Sequence, residues 1–391
     1  MFLVSKISKF NLVLLLSAFL IAPVAAQDIL DRNGTPLQRD HTSPAQYVLP
    51  DTLAALGTRR LSFDAKLSKV VQEEVEAAVA HYQALRGGAF VMDINTGEIL
   101  AMASSERFET HPSDNGVTFN LVTEGVYEIG VSAKAITVAT GLEAKTITKD
   151  SIIDVRKPFK FGKYEITDFH PARAKISLSD VILKSSNIGM VKIEQKLGPD
   201  AFVKSLNKFG QFNPMEVEGL NGATPLVPLH WNELSAITVA YGHGLFNTPL
   251  QAGVVMAAMA NGGYLLKPTI YKIDPKDAVR VSVISEDTSA FIRSAMRKNV
   301  ADGSGTKLNF KDIKIGGLSG TANKEINGKY DPEKFLTHFA AVVPADKPKY
   351  LIFTTLDEPQ ALKETFGYQT SGWNAAPLAG NIIQKGLLGK L

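Results

Sequence analysis

The stretch AFVMDINTGEILAMAS, residues 89 to 104, decides the architecture. Two apolar runs flank Ile94-Asn95-Thr96-Gly97, and a short polar break containing glycine between such runs reads as a β-hairpin. Near the other end of the chain, THFAAVVPADKPKYLIFTTLDEP, residues 337 to 359, reads as a second hairpin. The middle is mainly helical in pattern. Strands drawn from both ends with helices between them predict an α+β fold, with an antiparallel sheet packed between helices.

Outward from that hairpin, Leu67, Val70, Val71, Val75, Ala78, Val79, Tyr82 and Leu85 recur at helical spacing, and Gly87-Gly88 is expected to stop the helix. Downstream, Thr248 suits a helix cap and Pro249 its first turn, with Asn261-Gly262 as the stop. A last helix is expected from about Asn374. Residues 27–60 are polar and weakly periodic and carry a turn signal at Asn33-Gly34; the folded domain is expected over 61–391.

The first residues have the three regions of a secretory signal: basic MFLVSKISKF, apolar LVLLLSAFLIA and small-residue PVAAQ. This reading makes 1–26 a signal cleaved after Ala26. An uncleaved anchor is the competing reading, against which Pro23 and the short apolar run both argue. A buried N-terminal helix is the third. The first two place the body outside the cytoplasm, in a periplasm or at the outer face of the inner membrane.

Composition limits the chemistry. The chain has 391 residues, 45% hydrophobic and 21% charged, as a folded protein does. A net charge of +3 predicts no nucleic-acid partner. The absence of cysteine removes disulfides, thiolate nucleophiles and zinc–thiolate sites. No spacing suggests a metal or nucleotide site, so no cofactor is expected.

Three stretches carry possible chemistry: VSAK (131–134) after Gly130, KSSNIG (184–189), and GGLSGTANK (316–324). Lys134 reads as a buried, paired amine because Ile136, Val138 and Ala139 surround it in sequence; a surface lysine is the alternative. Ser185 and Asn187 lie in a polar break between two apolar-periodic segments and either cap helices or face a site. Ser319 and Thr321 are either ordinary strand hydroxyls or ligand donors. His170 and His243 read as structural.

Together these stretches resemble the penicillin-binding proteins, specifically the class B division transpeptidases. The handles are MDINTGEILAMAS, GVYEIGVSAK, DFHP, SSNIG, AYGHGLFNTPLQ, MANGG, GGLSGTA and ETFGYQTSGWNAAPLAG, from Leu61 to the C-terminus. DRNG (31–34) resembles the stretch that follows the membrane anchor in that family. The family carries S-x-x-K, S-x-N and K-T-G motifs. The resemblance implies a penicillin-binding transpeptidase, serine β-lactamase-like fold. It implies Lys134 as base, Ser185 as proton relay, Asn187 as an amide holding substrate and lysine, and Ser319, Gly320 and Thr321 as carboxylate binders. Peptidoglycan stem peptides, β-lactams and cell-division proteins are the implied partners.

Two departures matter. Val131 stands where the family has its nucleophilic serine, and Leu318-Ser319-Gly320 replaces Lys-Thr-Gly. Acyl transfer needs a hydroxyl beside a base, and deleting such a serine costs on the order of a million-fold in rate. Leu318 forgoes a charge-assisted hydrogen bond worth roughly 1.5–3 kcal/mol. Ser132 is the only hydroxyl nearby, but residues two apart on a helix point to different sides; it is expected to satisfy a free first-turn N–H. A third departure is length: the non-catalytic pedestal of the family is all but absent ahead of Leu61. The expectation is a pseudoenzyme that binds without covalent chemistry. The rivals are an active D,D-transpeptidase or carboxypeptidase using Ser132, and a decaying paralogue with no selected role.

Overall fold

The structure is a computed structural model that describes residues 29–38, 43–57, 59–106, 118–326 and 328–391. The expected signal at 1–26 lies outside the described residues. Its main elements, in chain order, are helix α1 (Ala65–His81), strands β1 (Arg86–Asp93) and β2 (Ile99–Glu106), and helices α2 (Gly130–Glu143), α3 (Leu178–Leu183), α4 (Asn187–Leu197), α5 (Pro249–Ala258) and α6 (Glu286–Asp302). Strands β3 (Gly316–Ile326), β4 (Lys329–Val343) and β5 (Tyr350–Asp357) and helix α7 (Ala375–Ile382) complete it.

The two hairpins read from sequence join in one five-stranded sheet of order β3-β4-β5-β1-β2. Every neighbouring pair is antiparallel. Side chains alternate across a strand, so the sheet buries two apolar faces. Val91, Ala101, Ala341 and Ile352 pack with residues of α1 and α7. Phe90, Met92, Ala340, Leu351 and Phe353 pack with residues of α2 and α5. The sheet therefore lies between helices, the α+β arrangement expected.

Helix α1 begins where the Asp64 carboxylate accepts the Leu67 N–H at 2.9 Å. It ends at Tyr82, and Gln83 turns the chain with φ 49°. The expectation that Gly87-Gly88 stops it is corrected: both glycines lie inside β1. They are there for close packing. A Cβ on Gly87 would stand 2.6 Å from the Val79 side chain, and one on Gly88 2.9 Å from that of Leu121. Helix α5 starts as its sequence indicates, with Thr248 accepting from Gln251 and Pro249 in the first turn.

The segment ahead of α1 is tied to the domain. Arg32 pairs with buried Glu98 at 2.9 Å, and Asp31 accepts from the Ala65 N–H at 3.1 Å. Among the described residues no helix is long and apolar enough to cross a membrane.

Candidate functional site

A cleft of about 650 Å³ opens between the start of α2, the α3–α4 junction and β3. Val131, Lys134, Ser185, Asn187, Ser319, Gly320 and Thr321 all line it. Tertiary folding thus brings the three motif stretches to one place.

Helix α2 carries the first pair. It is buried along most of its length, which fits a helix apolar on nearly every side. Its first turn is backed by Gly242: a Cβ there would stand 2.5 Å from the Gly130 Cα. Just before it, buried Glu128 accepts from the His243 ring Nδ1 at 2.9 Å, from the Gly244 N–H, and from the Tyr330 hydroxyl at 2.9 Å. One carboxylate thereby joins α2, the His243 loop and the far end of the β3–β4 hairpin.

Lys134 projects across to the α3–α4 junction. Its Nζ donates to the Ser185 carbonyl at 3.1 Å, the Ser185 hydroxyl at 2.8 Å and the Asn187 Oδ1 at 2.8 Å. An ammonium has three donors, and all are taken. Ser185 meets it with both oxygens because its backbone is left-handed, φ 50°, a conformation a non-glycine residue keeps only when its surroundings hold it. Ser186 and Asp168 do that holding. Ser186 caps α4 through Gly189 and donates to Asp168 at 2.7 Å, while Asp168 also accepts the Ile188 N–H at 3.0 Å. Burial pulls the Lys134 amine down to about 8, with nearby Asp168 opposing.

Val131 faces the same cleft, buried to 4% exposure. Ser132 is buried away from it, and its hydroxyl donates to the Ile129 carbonyl at 2.9 Å. The expected bond to a first-turn N–H is corrected: a serine in the first turn can reach back to the carbonyl three residues earlier, and here it does.

Strand β3 forms the opposite wall. Leu318 packs into the apolar group that holds Val131 and Ala340. The Ser319 and Ser304 hydroxyls are 2.7 Å apart, and Thr321 Oγ1 accepts the Ser371 N–H at 3.1 Å. Gly320 leaves room for His338, whose ring occupies the space a side chain would take: a Cβ would fall 1.9 Å from its Nε2. His338 is fully buried, stacked on Phe353 with centroids 6.0 Å apart, and neither ring nitrogen has a hydrogen-bond partner among the described residues. Burial, with the Lys134 charge adding, lowers its imidazole to about 3, so the ring is neutral.

β3 is also the sheet's edge. Its outer side is covered at one end, where Arg297 donates to the Ile315 carbonyl at 3.0 Å and Asn299 to that of Gly317 at 2.8 Å. By the two-residue period of a strand, the backbone groups of Ser319 and Thr321 point the same way, toward the cleft. An open strand edge accepts an extended peptide as a further strand.

Sequence reasoning did not find Asp168, Ser304, Tyr330 or His338. Asp168 lies in the DFHP stretch and His338 in the second hairpin, while Ser304 and Tyr330 lie in neither; all four enter the site through tertiary approach.

This geometry has counterparts. The family described as penicillin binding protein transpeptidase domain matches residues 87–384, and the chain belongs to that family. It is similar to the probable peptidoglycan D,D-transpeptidase FtsI of Caulobacter vibrioides, 33% identical over 344 residues, covering 84% of this chain and 58% of the relative. Similarity to the peptidoglycan D,D-transpeptidase FtsI of Escherichia coli is 29% over 332 residues, covering 83% and 55%. The apo transpeptidase domain of Burkholderia pseudomallei penicillin-binding protein 3 has a TM-score of 0.74 at 26% identity, covering 83% of this chain and 94% of that one. The chain spans just over half the length of the curated relatives it matches.

Proposed function

We propose that this domain binds peptidoglycan stem peptides in its cleft without forming a covalent bond to them, as a non-catalytic partner in cell-wall synthesis and division. The observation that carries this reading is Val131: at the helix start facing Lys134, the cleft presents hydrocarbon and no nucleophile. The similar proteins named D,D-transpeptidases supply the substrate class. The open edge of β3 supplies a backbone for an extended peptide, and Ser319 and Thr321 supply donors for its carboxylate. Lys134, Ser185 and Asn187 keep the arrangement of a base, a relay and a substrate amide, but with all lysine donors engaged they act here to hold the cleft's shape. In this reading residues 1–26 direct export, residues 27–60 form a short lead, and the domain 61–391 works at the outer face of the inner membrane.

Two measurements test it. Intact-mass spectrometry after incubation with excess penicillin is expected to show no adduct, while an acetylated peptide ending in D-alanyl-D-alanine is expected to bind reversibly in an NMR titration. A stoichiometric adduct mapped to Ser132 would replace this reading with that of an active transpeptidase or carboxypeptidase. The burial of Ser132 and its bond to Ile129 weigh against that outcome.

A further inference from the structure

Leu318 leaves the hydroxyl end of the cleft without a cation from β3. Yet that end is built in detail. Buried Asn299 donates to the Gly317 carbonyl at 2.8 Å, and its Oδ1 accepts from the Ser304 N–H and hydroxyl, each at 3.1 Å. One amide thus welds the loop after α6 onto β3, and the Ser304–Ser319 contact closes the seam. Across the seam lies the turn before α7. Ser371 donates to Thr321, and Gly372 lies so close that a Cβ would stand 2.7 Å from the Ser304 carbonyl oxygen. Trp373 follows, and the Lys307 ammonium lies over its ring, 4.4 Å from the centroid. Ser304, Lys307, Ser319, Thr321 and Trp373 all line the cleft.

Lys307 is exposed and forms no salt bridge with any described residue. Its aromatic contact is worth only about 0.5–1 kcal/mol at such a site, enough to aim the ammonium and not enough to retain it against a carboxylate. Among the described residues, the other lysines lining the cleft are Lys134, whose donors are used, and Lys184, and Asp302 is the single acidic residue there. Thr321 accepts from Ser371, so its hydroxyl hydrogen is free to donate outward.

We infer that Lys307, aimed by Trp373, is the cation that receives the carboxylate of a peptide bound along β3, in place of the charge that position 318 lacks. Thr321 and the outward N–H groups of the strand edge share the carboxylate with it. The inference rests on the reading of the cleft as a peptide site. It adds that the anchor comes from the loop after α6 and not from the strand.

The test uses N-acetyl-L-lysyl-D-alanyl-D-alanine and its C-terminal amide as probes, titrated by NMR against the full domain and three variants. The wild type is expected to prefer the acid over the amide. Lys307→Gln should weaken the acid roughly fivefold, the scale of an exposed ion pair, leave the amide unchanged and so erase the preference. Lys307→Arg should keep most of the preference. Trp373→Leu should reduce it, through loss of aim. Lys307 is exposed, so the Gln variant is expected to fold normally. If Lys307→Gln keeps the wild-type preference, the assignment to Lys307 falls while the peptide reading stands. If the wild type binds neither probe, both fall.

Discussion

Val131 and Lys134 lie one turn apart on α2 and face the same cleft, so hydrocarbon stands where a hydroxyl would meet the amine. Residues three apart on a helix share a face. Position 131 is therefore in helical register with the Lys134 amine, and the side chain it presents there is hydrocarbon.

Val131→Ser tests this directly. It should acylate with a fluorescent penicillin where the parent does not, because the new hydroxyl lies in register with Lys134. The single variant should be slow. Adding Leu318→Lys and Ser319→Thr should raise the rate by roughly ten- to a hundredfold, the worth of a charge-assisted hydrogen bond, and more than additively, since members of one catalytic unit act together. A triple variant that folds and stays as inert as the parent would show that the cleft has drifted beyond restoring one group.

What the sequence disclosed follows from the range of the interactions. The two hairpins and the helices α1 and α5 rest on period, turn residues and caps, which are local. Lys134, Ser185 and Asn187 were legible because each sits in a short motif. The stop of α1 was misread because a local rule about glycine met a distant packing need: Gly87 and Gly88 make room for Val79 and Leu121. Ser304, Tyr330 and His338 were illegible because their roles depend on partners far away in sequence: Ser319, Glu128 and Gly320. The rotor of Ser132, toward a carbonyl and not an amide, is likewise a choice that sequence alone leaves open.

Lys134 should titrate apart from the other lysines. Its folded value of about 8 lies below the ordinary lysine value of about 10.4 because burial penalises the charge. Between those two values the unfolded chain holds more protons at this site, so its contribution to stability rises with pH across that window; below about 8 the full penalty is present. Carbon-detected NMR of ε-labelled lysine should show one amine losing its proton near pH 8. Leu318→Lys should move that midpoint lower still, since a second cation disfavours the charged form. A Lys134 resonance that titrates with the bulk would contradict the burial.

Glu128 should prove a structural hub. The carboxylate is 5% exposed and takes bonds from His243, Gly244 and Tyr330. Glu128→Gln keeps one acceptor oxygen but turns an amide donor toward groups that are themselves donors. The expected loss is about 2–4 kcal/mol by urea denaturation. Tyr330→Phe removes one bond and should cost about 1 kcal/mol. Combined with Glu128→Gln it should cost less than the sum, because the two residues share that bond. Hydrogen exchange at the β3–β4 hairpin tip should quicken in both. Strict additivity would mean that the Tyr330 contact does not form in solution.

Gly320 and His338 should be coupled most strongly of all. The imidazole is pressed between β3 and Phe353, with ring planes 9° apart. A methyl group at 320 would lie 1.9 Å from Nε2 and 2.5 Å from Cε1. Gly320→Ala should therefore cost at least the roughly 1–3 kcal/mol typical of overpacking, although alanine usually gains a few tenths where glycine's freedom is not needed. His338→Ser empties the space at the cost of a cavity, yet also removes two buried nitrogens without partners, so its loss should be milder than that of a buried phenylalanine. In the double variant the new methyl enters the space the ring has left. Its stability should exceed the additive expectation by about 1 kcal/mol or more. Urea denaturation of the four proteins decides it. If Gly320→Ala alone costs less than about 0.5 kcal/mol, the level of an ordinary surface change, the ring does not occupy that space.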